Sequence, residues 1–262
     1  MGSYPWIMAM LQPDPLPGSY LNHGETIDRI SEKLLEEAAV LDQIGYEGFV
    51  LQNMHDGPIR QHAQIQTIAY MTRLAVDIRQ AYPKKKLGIL VNWDGAAALA
   101  IADAAKADFV RIEHLYTGVS IGMCGFVEGQ CAEVLELKKK LGTSIPVYAD
   151  VQEVNGNYLN PLPKEKEALR TIRRAFADGL FTSGNTKQES LAIATEIKRR
   201  MPEVPLFLGG KATADNVEEL LEVYDGVSVA SWIKDGDMRN PINQEKARRF
   251  YENAAKVAKR GL

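Results

Sequence analysis

Trp6-Ile7-Met8-Ala9-Met10-Leu11 runs without a break into Gln12-Pro13-Asp14-Pro15-Leu16-Pro17-Gly18, and this junction decides between the two folds open to an alternating α/β chain. The first six residues are continuously apolar, as expected of a parallel strand covered on both faces. A doubly wound sheet places a glycine fingerprint after its first strand, so that a dinucleotide pyrophosphate can reach a helix N-terminus. Pro13, Pro15 and Pro17 forbid that turn, because each fixes φ and lacks an N–H. The fold expected is therefore the other α/β arrangement, a (β/α)₈ TIM barrel over residues 1–262 as a single domain.

The rest of the chain keeps the same alternation. Strands are expected at Gly48 to Gln52, Leu87 to Val91, Phe109 to Ile112, Pro146 to Ala149, Leu180 to Thr182, Pro205 to Leu208 and Val227 to Ala230. Between them apolar residues recur at helical spacing, as in Ile27, Ile30, Leu34, Leu35, Leu41 and Ile44, with Gly45 placed as a C-cap. Thr186 with Glu189 reads as a capping box, and Asp94 and Thr213 as N-caps. About eight strand and helix pairs of roughly thirty residues fill the chain, the repeat of a (β/α)₈ barrel.

Composition removes several classes of function. Of 262 residues 45% are apolar, and 31 basic side chains face 34 acidic ones for a net charge of -3. No bulk basic field exists to hold a nucleic acid. Cys124 and Cys131 are too few for a disulfide framework or a four-ligand zinc site, so a reducing, cytoplasmic location is expected. Met1 to Leu11 has no basic region before its apolar stretch, and the alanine-rich run from Ala96 stops at Asp103, so no targeting segment or membrane span is expected. Lys84 to Lys86 and Lys138 to Lys140 precede strands and read as solvated charge at the bottom of the barrel.

In a barrel the chemistry gathers on the loops after the strands. Gly209 and Gly210 end the seventh strand and allow backbone N–H groups to approach an anion. Ala230 and Ser231 end the eighth before a short extra helix whose N-terminus would face the same place. The two segments together match the barrel phosphate site, and Lys211 or Lys234 would assist; a tight turn and a structural cap are the alternative. Asp150 and Glu113 end strands and would supply acid and base, share a divalent cation, or brace the rim through Arg111. Asn53, Asn92, Asp94 and Ser183 would orient hydroxyls or a metal. His55 and His114 lack HxH or HExxH spacing, so the signal for a histidine-built metal site is weak and a surface or hydrogen-bonding role is expected of each. The stretch from Gly118 to Gly129, with Cys124 inside it, reads as a mobile cover, while Trp93 and Trp232 would wall a pocket or pack in the core.

With these residues in place, the chain resembles the BtpA/SgcQ family of (β/α)₈ barrel proteins along nearly its whole length. Pro15-Leu16-Pro17-Gly18-Ser19 is similar to the family's PLPGS, and Asn53, Asp56 and Pro58 to its ENxxDxP. Asp94 with the alanine-rich helix, Phe109-Val110-Arg111, Ala149-Asp150-Val151, Ser183-Gly184, and Gly209-Gly210 through Asn216-Val217 follow the family order, ending with Asp225-Gly226, Lys234, Gly236 and Pro241. Departures fall at Gln12 for a histidine, Gln52 for a glutamate, and Val154 and Asn155 for a Lys-His pair, with an acidic residue replaced near Met123. Each departure removes an ionisable group from the expected mouth.

The resemblance implies a link either to photosystem I biogenesis, from which the family takes its name, or to sugar metabolism through its SgcQ branch. Residues and resemblance together point to a barrel that binds a small phosphorylated metabolite, a sugar phosphate, for isomerisation, epimerisation or aldol cleavage. The alternatives are a non-catalytic assembly factor and a metal-assisted hydrolase. No separate partner-binding domain is expected, and association into a homo-oligomer is open.

Overall fold

Alternation along each strand sorts the side chains of this computed structural model into two sets; residues 4–122, 124–152 and 156–260 are described. In β1 (Trp6–Leu11), Ile7, Ala9 and Leu11 join the cluster packed under the helices, whereas Trp6, Met8 and Met10 point inward. The same parity holds around a closed parallel barrel whose neighbours run β1, β2 (Gly48–Gln52), β3 (Lys86–Leu90), β4 (Phe109–Ile112), β7 (Val147–Asp150), β8 (Gly179–Thr182), β9 (Leu206–Leu208) and β10 (Gly226–Val229), which closes on β1. The fold is a (β/α)₈ TIM barrel.

Aromatic rings fill its lower interior. Trp6 stacks on Phe207 at 5.4 Å, Phe109 on Tyr148 at 5.1 Å, and Phe181 on Phe207 at 5.1 Å between centroids. Glycines on neighbouring strands make the room: a Cβ at Gly88 would lie 2.3 Å from the Phe109 ring, and one at Gly179 would lie 2.7 Å from Tyr148. Bulky and absent side chains thus alternate across the layer, the rings occupying the space that the glycines leave.

The helices form where their caps predict. Thr26 opens α1 (Ile27–Ile44) by accepting from Arg29 N–H, and Gly45 closes it in the left-handed region at φ 118°. Asp94 caps α3 (Gly95–Ala105). Thr186 Oγ1 accepts from Glu189 N–H to open α6 (Lys187–Arg200), but the Glu189 carboxylate answers on Asn185 N–H, one residue before the cap. Thr213 is not an N-cap. Its carbonyl accepts from Asn216 and Val217 N–H in a preceding turn, and Asn216 precedes the short α7 (Val217–Leu220). The remaining helices are α2 (Ile65–Ala81), α4 (Cys131–Leu141), α5 (Lys164–Ala175) and α8 (Gln244–Arg260). Among the described residues no helix is long and apolar enough to cross a membrane.

One loop expectation changes. The glycine-rich stretch after β4 folds into an antiparallel hairpin, β5 (Val119–Ile121) and β6 (Gly125–Val127), whose Val119, Ile121 and Val127 pack on Trp93. The basic triplets meet partners at the bottom face: Lys85 with Asp42 at 2.8 Å, Lys86 with Asp108 at 3.0 Å and Lys138 with Asp178 at 3.1 Å.

Candidate functional site

Inward parity carries past the strand ends, so the top layer of the barrel interior is built from Gln12, Gln52, Asn92, Arg111, Asp150, Gly209 and Ser228. Most of it is polar, in contrast to the aromatic layer below. A cavity of about 230 Å³ opens there, lined by Glu113, Asp150, Ser183, Gly209, Gly210, Lys211, Ala230 and Ser231 among others. The structure thus brings the expected carboxylates and the expected anion-binding loops to one mouth.

At its centre Arg111 and Asp150 form a two-point ion pair. Nε and Nη2 of Arg111 donate to the two carboxylate oxygens, each at 2.8 Å. The guanidinium lies 4.4 Å from the Phe181 ring centroid and approaches Gly209 O at 3.4 Å and Ser228 Oγ at 3.5 Å. Gly209 is small for this reason: a Cβ there would sit 3.2 Å from Arg111 Nη2 and 3.4 Å from Asp150 Oδ1. Gly210 is different, because a Cβ would meet only Ser183 Oγ, at 3.6 Å. Its missing side chain leaves open surface facing the mouth. Of the roles expected of Asp150, this arrangement is the bracing through Arg111. Both oxygens are committed to a guanidinium, which makes the carboxylate an acceptor that positions Arg111. Glu113, half-buried, lines the same cavity.

The remaining site expectations divide. Asn92 and Gln52 join a row of amides on the β1–β3 side: Gln12 Nε2 donates to Gln52 Oε1 at 3.0 Å and Gln52 Nε2 to Asn92 Oδ1 at 2.7 Å. Asn53 turns toward the loop, accepting from Asn92 N–H at 2.9 Å and donating to Asp56 at 3.2 Å. Asp56 also accepts from Leu16 N–H at 2.8 Å, and Ser19 Oγ from Gly57 N–H at 3.1 Å. The two proline-containing loops are thereby tied to one another. Asp94 does not reach the mouth, since its oxygens accept from Ala97 and Ala63 N–H at 2.8 and 2.7 Å. It fastens α3 to the loop after β2.

Lys234 is likewise turned away. The extra helix after β10 is a single 3₁₀ turn, Ser231–Lys234, too short to build a macrodipole. It carries Lys234 to the outer side, 2% exposed and paired with Glu37 of α1 at 2.9 and 3.0 Å. This pair borders a second cavity, of about 400 Å³, together with His55 and Met238. Burial pushes Glu37 up against the opposing pull of Lys234, and burial also pushes His55 down. Lys211 stays at the mouth with φ 59°, its Nζ 3.2 Å from Asn185 Oδ1. A left-handed conformation in a residue with a Cβ is strain of the kind that collects at functional loops, and Trp93 and Gln152 show it at two other strand ends.

Arg111 and Gln12 were legible as strand-end residues but not as members of the site; alternation from Phe109 and from Met10 would have placed both inside. Neither free cysteine is fully buried. Among the described residues no group of three or more His, Cys, Asp or Glu side chains comes together as a metal site. Met123, Val154 and Asn155 lie outside the described residues.

The family model described as the BtpA family matches residues 5–256. An uncharacterised protein of Thermococcus kodakarensis is 34% identical over 96% of this chain and 95% of its own length. The photosystem I biogenesis protein BtpA of Synechocystis is 30% identical over 94% of this chain and 86% of its own. Among solved structures, N-(5'-phosphoribosyl)anthranilate isomerase from Pyrococcus furiosus superposes with a TM-score of 0.59 at 14% identity, covering 96% of this chain and 99% of that one, a likeness of fold. With its barrel and its near full-length match, the chain belongs to the BtpA family.

Proposed function

We propose that the mouth binds a small phosphorylated metabolite, a sugar phosphate, and that the protein transfers a proton on it in an isomerisation, an epimerisation or an aldol-type cleavage. The observation that carries this reading is the convergence of Gly210, Ser183, Lys211 and the Ala230–Ser231 turn on the cavity that also holds Arg111 and Glu113. The phosphate lies against Gly210, where no side chain intervenes, with Lys211 supplying charge. Arg111, held by Asp150, polarises an oxygen of the substrate through a preorganised cation. Glu113 moves the proton.

Thermal melting with inorganic phosphate and a panel of sugar phosphates tests the binding step, since a ligand of the native state raises the midpoint by mass action. With a substrate so identified, Glu113→Gln is expected to lower turnover by about 10²- to 10⁴-fold while binding persists. Unchanged turnover in that variant refutes the proton-transfer role.

A second reading, an assembly factor using the barrel as a scaffold, draws on the 30% identity to the Synechocystis protein named for photosystem I biogenesis and on the commitment of Asp150 to Arg111. Absence of any midpoint shift with phosphate compounds favours it.

A further inference from the structure

We propose that Gln12 reads a hydroxyl group of the ligand, its Oε1 accepting a hydrogen bond that the protein itself does not supply. The inference rests on the reading of the mouth as a site for a phosphorylated metabolite, and it names the feature of that metabolite recognised on the β1 side.

Gln12 follows β1 with inward parity, is 5% exposed, and stands between the mouth and the second cavity, lining both. Its Nε2 donates to Gln52 Oε1 at 3.0 Å, with Met238 Sδ at 3.4 Å, and Gln52 Nε2 passes the same polarity on to Asn92 Oδ1 at 2.7 Å. Both amides donate away from β1, so the unused acceptor collects at the β1 end. Among the described residues Gln12 Oε1 has no hydrogen-bond partner. A buried carbonyl oxygen in that condition is costly and calls for a donor.

The neighbours say what kind of donor. Gln52 and Met238, the groups in contact with the Gln12 amide, are uncharged, so a neutral donor can meet Oε1 without desolvating a charge in direct contact with it. A neutral hydroxyl fits. The position fits as well, because β1 pairs with β10, and Gln12 therefore stands beside the Ala230–Ser231 turn. A carbon chain extending from a phosphate held between Gly210 and that turn can reach Gln12 across the same cavity.

Calorimetric titration of the full chain with inorganic phosphate, glycerol 3-phosphate, D-ribose 5-phosphate and D-glucose 6-phosphate tests this, using Gln12→Met and Gln12→Glu. Gln12→Met keeps the length of the side chain and removes the acceptor; Gln12→Glu keeps an acceptor. The expected result is that at least one sugar phosphate binds the native protein more tightly than inorganic phosphate does. Gln12→Met should then weaken that compound by roughly tenfold without altering inorganic phosphate, whereas Gln12→Glu, whose added negative charge opposes every phosphate, should weaken both and keep the ratio between them. Equal weakening of all compounds by Gln12→Met, or none, overturns the assignment. If no phosphate compound binds, the reading of the mouth fails separately, and glycerol, D-ribose and D-glucose become the probes. Polyol binding lost in Gln12→Met sustains the role of Gln12, and absence of polyol binding overturns it. Melting curves of both variants confirm that the folded protein is being measured.

Discussion

Arg111 and Asp150, side by side at the ends of neighbouring strands β4 and β7, are joined by two hydrogen bonds of 2.8 Å with their side chains only 10% and 6% exposed. A guanidinium and a carboxylate share this planar geometry as no lysine could. Each is thereby the counter-charge in direct contact with the other within the barrel.

Removal of one partner should consequently cost more than removal of both. Asp150→Ala removes both 2.8 Å acceptors of a guanidinium whose side chain is 10% exposed and is expected to destabilise the fold by about 3 kcal/mol or more. Arg111→Met combined with Asp150→Leu should recover much of that loss. Urea unfolding of the two variants gives the comparison, and a loss under about 1 kcal/mol in Asp150→Ala contradicts it.

The two kinds of glycine predict opposite phenotypes. Gly88→Ala drives a Cβ to 2.3 Å from the Phe109 ring and should lower stability by roughly 1–3 kcal/mol through overpacking. Gly210→Ala meets only Ser183 Oγ at 3.6 Å and should leave the melting midpoint nearly unchanged. It should nevertheless weaken phosphate binding, measured by calorimetry.

Lysine placement gives a third contrast. Lys211→Met should reduce affinity for inorganic phosphate, whereas Lys234→Met should not, because Lys234 faces Glu37 rather than the mouth. Glu37→Gln should destabilise the protein by roughly 3 kcal/mol by stranding a buried ammonium. Equal phosphate affinities in the two lysine variants would show that Lys211 takes no part.

Acid should weaken the fold through His114. Burial pushes its imidazole from 6.5 down to about 4, with Asp150 pulling more weakly the other way. Between those values the unfolded chain holds a proton that the folded chain refuses, so stability falls as pH drops from about 6.5 toward 4, by up to ~1.4 kcal/mol per unit. Glu37, Glu47 and Asp56, all pushed up by burial, act in the opposite sense, because the folded form takes up their protons first. The measurement is therefore the difference in slope between the native protein and His114→Asn, followed by urea unfolding at several pH values.

The barrel was legible in the sequence because both faces of each strand are covered. Trp6 to Leu11, Gly48 to Gln52 and Phe109 to Ile112 fall where continuous apolar runs place them. The hairpin at Val119 to Val127 was not, since glycine at 118, 122, 125 and 129 suppresses the local strand signal that tertiary packing on Trp93 restores. The mouth was legible in part. Glycine and carboxylate positions follow from strand ends, but the orientation of Lys234 depends on how far a 3₁₀ turn rotates the chain. The engagement of Asp94 with Ala63 depends on a loop contact across 31 residues. Neither has a local signature.

The aromatic layer beneath the mouth makes the barrel a vessel with one door. With Trp6, Phe109, Tyr148 and Phe207 packed ring against ring, nothing larger than the rings' own gaps can pass through the lower end. Whatever enters from above must leave by the same opening. Arrival and departure then share a single passage, and a molecule still seated there delays the next.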